Sequence, residues 1–230
     1  MKNLLRNSGW LVTAVLALGL SAKAQTVLMQ NTTTDLHSRF SDGTLEFGNQ
    51  IDLTSPAYIT TFSFEYYGGG AGGAGTPFAG SPEVDVRWYL NNGPAVSGYA
   101  SPGTLIYNSG AYAIAPTTAA TEIFSTTYGD FPAGGWLVSS SELTVTLQFT
   151  GLGSGDVAGV ELYSPPSVGN MFTDYWQHNT DGTWSLLQNS VNTDIGQEWI
   201  GTPVPEPSTL ALSLVGGLGL LIAVRRFRNK

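Results

Sequence analysis

Few side chains in this 230-residue sequence could do chemistry, and its acids are the best placed of them. Glu142 and Glu161 each fall on a segment of alternating apolar and polar residues, so two strands could bring them face to face. A retaining glycosidase wants two carboxyl groups about 5 to 5.5 Å apart, one to protonate the leaving oxygen and one to attack. Against that chemistry, Glu142 lies on the polar phase of its segment, and Glu161 shares a phase with Val157, Gly159 and Tyr163, so a solvated face accounts for both. The two histidines, His37 and His178, stand in polar, turn-like contexts without the close paired spacing of zinc ligands. The chain has no cysteine, which excludes a disulfide framework and thiolate metal sites. Gly153-Ser154-Gly155 reads as a glycine-rich turn, because no Gly-x-Ser-x-Gly elbow is present to expose a nucleophile. No catalytic residue and no metal ligand are assigned, and no enzymatic activity is expected.

Binding is the alternative that the aromatic residues offer. Tyr66, Tyr67, Tyr89, Tyr175, Trp176 and Trp184 carry flat faces that could stack on sugar rings, with Tyr175 and Trp176 the leading pair. Core packing is the competing account, above all for Trp88, Trp184 and Trp199. No cofactor is expected. Loop oxygens at Asp174 and in Asn179-Thr180-Asp181-Gly182 leave a structural Ca²⁺ open, although no Asp-x-Asp-x-Asp-Gly loop occurs and Asp181-Gly182 fits a hairpin turn.

Charge narrows the partners. The chain has 9 basic and 17 acidic residues, a net charge of −8. Between Ala24 and Val204 only Arg39 and Arg87 stand against sixteen acids, a net charge of −14 with no lysine. Such a surface repels phosphate backbones and lacks the basic patch that nucleic-acid binding needs, so no nucleic-acid partner is expected. Charged residues make up 11% of the chain and glycine numbers 29, a composition that suits an extracellular β protein.

The elements that must position these residues are strands. Val84, Val86, Trp88 and Leu90 alternate with Glu83, Asp85, Arg87 and Tyr89; Leu143, Val145, Leu147 and Phe149 alternate with Glu142, Thr144, Thr146 and Gln148. Tyr58, Phe62, Phe64 and Tyr66 share a phase against Ile59, Thr61, Ser63 and Glu65. Shorter strands are predicted at 26–30, 104–107, 122–126, 157–163, 183–187 and 197–200, with no helical periodicity between them. About nine strands separated by Gly, Pro, Asn and Asp turns predict an all-β chain, a jelly-roll-like antiparallel β-sandwich over residues 25–202. The run Gly68-Gly69-Gly70-Ala71-Gly72-Gly73-Ala74-Gly75 is expected to be a mobile loop, since it has no side chains to pack.

Both ends read as targeting segments. Lys2 and Arg6 precede an uncharged stretch from Ser8 to Leu20, and Ala22-Lys23-Ala24 supplies the small residues that signal peptidase requires. Residues 1–24 are thus a secretory signal, with cleavage before Gln25. At the other end, residues 203–230 join a proline-locked linker to an apolar, uncharged run of 17 residues from Ser208 to Val224. As a helix that run is about 25 Å long, just enough to span a bilayer core. Arg225, Arg226, Arg228 and Lys230 follow and would stay in the cytoplasm, which puts residues 25–204 on the far side of the inner membrane.

The order Pro205-Glu206-Pro207, short apolar helix and basic end resembles the PEP-CTERM sorting signal of Gram-negative bacteria. The resemblance covers about the last 26 residues and implies recognition by an exosortase, a membrane-embedded cysteine transpeptidase, after an inner-membrane intermediate. It further implies a final place on the outer cell surface or in the extracellular matrix, in company with exopolysaccharide and biofilm. Leu162 to Gly169, Asp174-Tyr175-Trp176 and Trp184 are also similar to ectodomains often found with this tail, which implies a β-sandwich without an assigned activity. The resulting expectation is a non-catalytic surface or matrix protein, with a carbohydrate-binding module and then a jelly-roll glycosidase as alternatives. Replacing Pro205, Glu206 and Pro207 together by Ala should leave export intact and hold the full-length chain in the inner membrane. Cell fractionation and immunoblotting check this, and equal release of variant and parent to the surface contradicts it.

Overall fold

The structure, a computed structural model, describes residues 24–187 and 193–204. Ala22 of the expected signal-cleavage site, the motif Pro205-Glu206-Pro207, the apolar run 208–224 and the basic cluster from Arg225 to Lys230 lie outside the described residues; Ala24 and Gln25 are exposed just ahead of the first strand. No helix among the described residues is long and apolar enough to cross a membrane.

In chain order the strands are β1 Thr26–Asn31, β2 Asp35–Phe40, β3 Glu46–Asp52, β4 Ala57–Gly69, β5 Glu83–Leu90 and β6 Ala95–Val96. They continue as β7 Tyr99–Ala100, β8 Leu105–Asn108, β9 Tyr112–Ala113, β10 Thr117–Ser125, β11 Trp136–Val138 and β12 Glu142–Thr150. The last are β13 Val157–Tyr163, β14 Asn170–Met171, β15 Tyr175–His178, β16 Trp184–Leu187 and β17 Gln197–Pro203. The first sheet runs β1-β17-β4-β13-β2, with β10 and β11 on the other edge of β4; the second runs β16-β15-β3-β12-β5-β8, with β14 on β3 and β9 on β5. Strand pairs in both sheets are antiparallel, so the fold is all-β. A small β6–β7 hairpin stands apart from both sheets.

Alternation builds the core. On β5 and β12 the residues Val84, Val86, Trp88, Leu143, Val145, Leu147 and Phe149 are all buried, as period-2 patterning requires of a face turned inward. Phe62 of β4 and Trp199 of β17, from the first sheet, meet Trp88 of β5, from the second, at ring-centroid distances of 5.5 and 4.5 Å. This contact fixes the two sheets as the layers of a sandwich. Phe64, Phe124, Tyr107 and Phe131 extend the same aromatic layer.

Two expectations need correction. The inward phase of β4 passes from Ile59 to Phe62, an odd step, so Tyr58 faces outward at 40% exposure while Ile59 is fully buried. The glycine run is not a free loop. Its first two residues end β4, and the rest form a turn closed by Gly73 N–H to Gly70 O, Gly75 N–H to Gly68 O and Gly70 N–H to Thr76 O. A Cβ on Gly69 would lie 2.2 Å from Gly73 O and one on Gly70 2.3 Å from Pro77 O, so the run packs through its backbone. Asp156 holds the neighbouring segment in place: its carboxylate accepts the N–H groups of Ala79, Gly80 and Gly153 at 2.8, 2.8 and 2.7 Å. Those bonds hold the Asp156 carboxyl below the usual aspartate range.

Phe62→Ala should cost about 3 to 5 kcal/mol because it empties the contact between the sheets. Tyr58→Ala should cost under about 1 kcal/mol. Chemical denaturation of both variants checks the pair, and equal effects would contradict the odd step in β4. Asp156 carries a pH signature. Its folded pKa is depressed, so its contribution is full above the unfolded value of about 3.9 and is lost as pH falls through the folded one. The stability gap between the parent and Asp156→Asn, followed by denaturation across acid pH, should therefore be constant at neutral pH and close in acid.

Candidate functional site

The second sheet turns its polar phase outward, and that phase converges on one buried carboxylate. Glu46 opens β3 and is 4% exposed. Antiparallel register sets β12 beside β3, with Thr146 opposite Gly48; β5 beside β12, with Arg87 opposite Thr146; and β15 on the other edge of β3, with His178 opposite Glu46. Side chains on one face of these four strands can then reach the same point. Arg87 Nη1 donates to Glu46 Oε2 at 2.7 Å, the Tyr89 hydroxyl to Oε1 at 2.9 Å and the Thr146 hydroxyl to Oε1 at 2.6 Å, while His178 Nδ1 lies 3.2 Å from Oε2. Arg87 also bonds Asp85 through Nη2 and the Gln148 side-chain oxygen at 3.1 Å.

Burial and neighbouring charges shift three groups of the cluster. Burial works against the charge of Arg87, but Glu46 and Asp85 outweigh it and raise the Arg87 pKa further. Burial and the adjoining Glu46 carboxylate push the Tyr89 hydroxyl far above its usual range, so it stays a donor. Burial likewise pushes the Asp85 carboxyl up, against the pull of Arg87.

Over this floor lies a depression of about 490 Å³ lined by Thr44, Glu46, Arg87, Tyr89, His178 and Asn179 among others. Trp184 of β16 sits half-buried on its side, stacked on His178 with centroids 4.5 Å apart and planes 18° apart, and set edge-on to Tyr89 at 5.4 Å. The excursion between β5 and β8 lies against the same face: Asn91 Oδ1 accepts the Thr144 hydroxyl at 2.7 Å, β6 approaches β16, and Tyr99 meets Phe172 at 4.8 Å. That packing leaves the Glu46 floor as the open part of a face otherwise closed over Thr144 and Trp176.

The residues singled out from sequence are distributed differently from expectation. Trp176 is fully buried and Tyr175 is 8% exposed against the core, so neither ring offers a face to a ligand. Trp88 and Trp199 are core, whereas Trp184 is not: it packs on His178 and Tyr89, two residues that line the depression, and stands behind them. Glu142 and Glu161 are not a pair: Glu142 is exposed on β12 of the second sheet, bonded to Gln50, and Glu161 lies on β13 of the first. Nor is Glu161 solvated. It is 7% exposed, its carboxyl is raised by burial, and it takes the Arg39 guanidinium at 2.8 Å.

Arg39 lies over the Tyr67 ring at 4.9 Å, and Asp35, His37, Arg39, Glu161 and Tyr163 line a second depression of about 490 Å³. His37 there is held to Asp35 at 2.9 Å on an exposed bulge of β2. Gly153-Ser154-Gly155 is the turn that Asp156 closes. Asp181 spends its carboxylate on the Thr183 N–H and hydroxyl, as a hairpin turn does. Among the described residues no group of three His, Cys, Asp or Glu side chains is placed to hold a metal ion.

Sequence reasoning missed Glu46. The available signal was Arg87, one of two arginines between Ala24 and Val204, set on a strand's polar phase between acids. The chain matches no family model, no curated protein and no solved structure.

Proposed function

We propose that this protein is an exported, non-catalytic β-sandwich of the cell surface or extracellular matrix, and that the Glu46 depression is its carbohydrate-binding site. The two antiparallel sheets are read as jelly-roll-like, with sugar taken up on the outward face of the second. The observation that carries the reading is the combination at one place of a fully engaged carboxylate network and the Trp184–His178 stack. A pyranose offers an apolar face to an aromatic ring and hydroxyls at its rim to a polar floor. The His178 ring, backed by Trp184, supplies the first surface, and Arg87, Gln148, Asn179 and Thr180 supply the second.

Binding fits this floor better than turnover. A glycosidase needs one carboxyl free to give a proton and another free to attack or to activate water. Glu46 is held by Arg87, Tyr89 and Thr146, with His178 beside it, and Asp85 shares the same arginine. Sorting supports the same role: the Pro205-Glu206-Pro207 signal and its exosortase would deliver the domain to the cell surface, where exopolysaccharide is the polymer at hand.

A polysaccharide panel presented to the purified protein should give saturable binding with no release of reducing ends. Trp184→Ala should weaken that binding at least about 10-fold, because it removes the ring that holds His178 flat against the depression, with the melting midpoint kept within about 3 °C. Failure of every polysaccharide to bind would overturn the binding site, and turnover abolished by Glu46→Gln would replace it with a glycosidase.

A further inference from the structure

Asp194 is an acid that no basic side chain among the described residues neutralises. It is 1% exposed, and its Oδ1 has no hydrogen-bond partner. Four side chains between Ala24 and Val204 can carry positive charge, and each is engaged elsewhere: Arg39 with Glu161, Arg87 with Glu46 and Asp85, His37 with Asp35, His178 with Glu46. Burial pushes the Asp194 carboxyl up to about 6, and a hydrogen bond from Ser164 offsets this only in part. At neutral pH the group is therefore mostly an anion inside the fold, and a buried anion is costly unless something pairs with it.

A second orphan oxygen lies in the same neighbourhood. Asn31 closes β1 and is fully buried; its amide nitrogen donates to the carbonyls of Tyr163 and Ile195 at 2.9 and 3.2 Å, which leaves its Oδ1 without a donor. Ile195 follows Asp194 directly, and the Tyr163 N–H bonds the Asp194 carbonyl at 2.9 Å. Tyr163 thus bonds Asn31 through its carbonyl and Asp194 through its N–H, and the Ser164 side chain bonds the Asp194 carboxyl.

We propose that Asp194 and the Asn31 amide oxygen bind a hard divalent cation of the calcium type at the end of the sandwich where β1, β13 and β17 approach one another. The donor set is oxygen alone, with no imidazole or thiolate, which selects Ca²⁺ over zinc or copper. Ca²⁺ takes about six to eight oxygens, so backbone carbonyls and water would complete its shell. One carboxylate makes a weak site, in the range of about 10⁻⁴ to 10⁻³ M found for extracellular modules.

The test uses the full-length chain in detergent, melted in EDTA and in about 5 mM Ca²⁺, where mass action predicts a midpoint rise of about 3 to 6 °C near pH 7.5. The rise should shrink near pH 5, where a proton takes the place of the metal, and should be smaller with Mg²⁺. Asp194→Asn should abolish it while melting in EDTA at least as high as the parent, because the buried charge is gone; Asp181→Asn should keep it. Calorimetric titration of the parent with Ca²⁺ covers the case in which the variant does not fold, and should show one site in the stated range. A parent that neither shifts its midpoint nor gives binding heat overturns the proposal in favour of a proton on Asp194. An Asp194→Asn chain that keeps the full rise overturns it in favour of a site elsewhere.

Discussion

The packing of Trp88 against Phe62 and Trp199 is the contact on which the rest of the molecule depends. It joins two sheets that share no hydrogen-bonded strand, and it fills the space of about 10 Å between them with three rings. It also sets phase. With Trp88 inward, Asp85, Arg87 and Tyr89 must point outward, and the same holds for Thr144 and Thr146 once β12 is paired with β5. A slip of one residue would bury Arg87 in the core and expose the tryptophan, so the core contact and the polar cluster on the outer face are two readings of one register.

Scarcity of positive charge organises what that register leaves outside. Each sheet has one arginine on its outer face, and each arginine is committed to acids beside it: Arg39 to Glu161 on the first sheet, Arg87 to Glu46 and Asp85 on the second. Neither guanidinium is left over for an acidic ligand. A depression lies over each of these clusters, and the acids within it are structural partners before they are anything else.

Much of the fold was legible where one face is dry and the other wet. β5, β12 and β13 lie where alternation placed them, and β1, β8, β10, β16 and β17 overlap their expected positions. β3 was not legible, because Glu46 to Ile51 is covered on both faces and mixes Gly48, Asn49 and Gln50 with Phe47 and Ile51, so no period shows. The strand that carries the central acid of the site was therefore the one without a pattern. Trp176 misled for a related reason: it is fully buried on a strand flanked by β3 and β16, and β6, some eighty residues earlier, reaches β16 beside it, a long-range contact that leaves no local trace. The glycine run misled because packing through backbone is invisible to a count of side chains.

The order β1-β17-β4 has a consequence for when this chain can become stable. The last strand of the described residues lies between the first and the fourth, so the centre of the first sheet stays open until residues 197–203 have been made and delivered. Up to that moment β1 has only the bridge from Gln30 to Val168 beside it, Trp199 is absent from the ring cluster, and one edge of β4 is bare along part of its length. The first sheet therefore closes late and through pairing of high sequence separation, whereas every described strand of the second sheet precedes β17. Until that closure the strand edges of the first sheet stay bare, the condition in which a chain is open to pairing with the wrong partner.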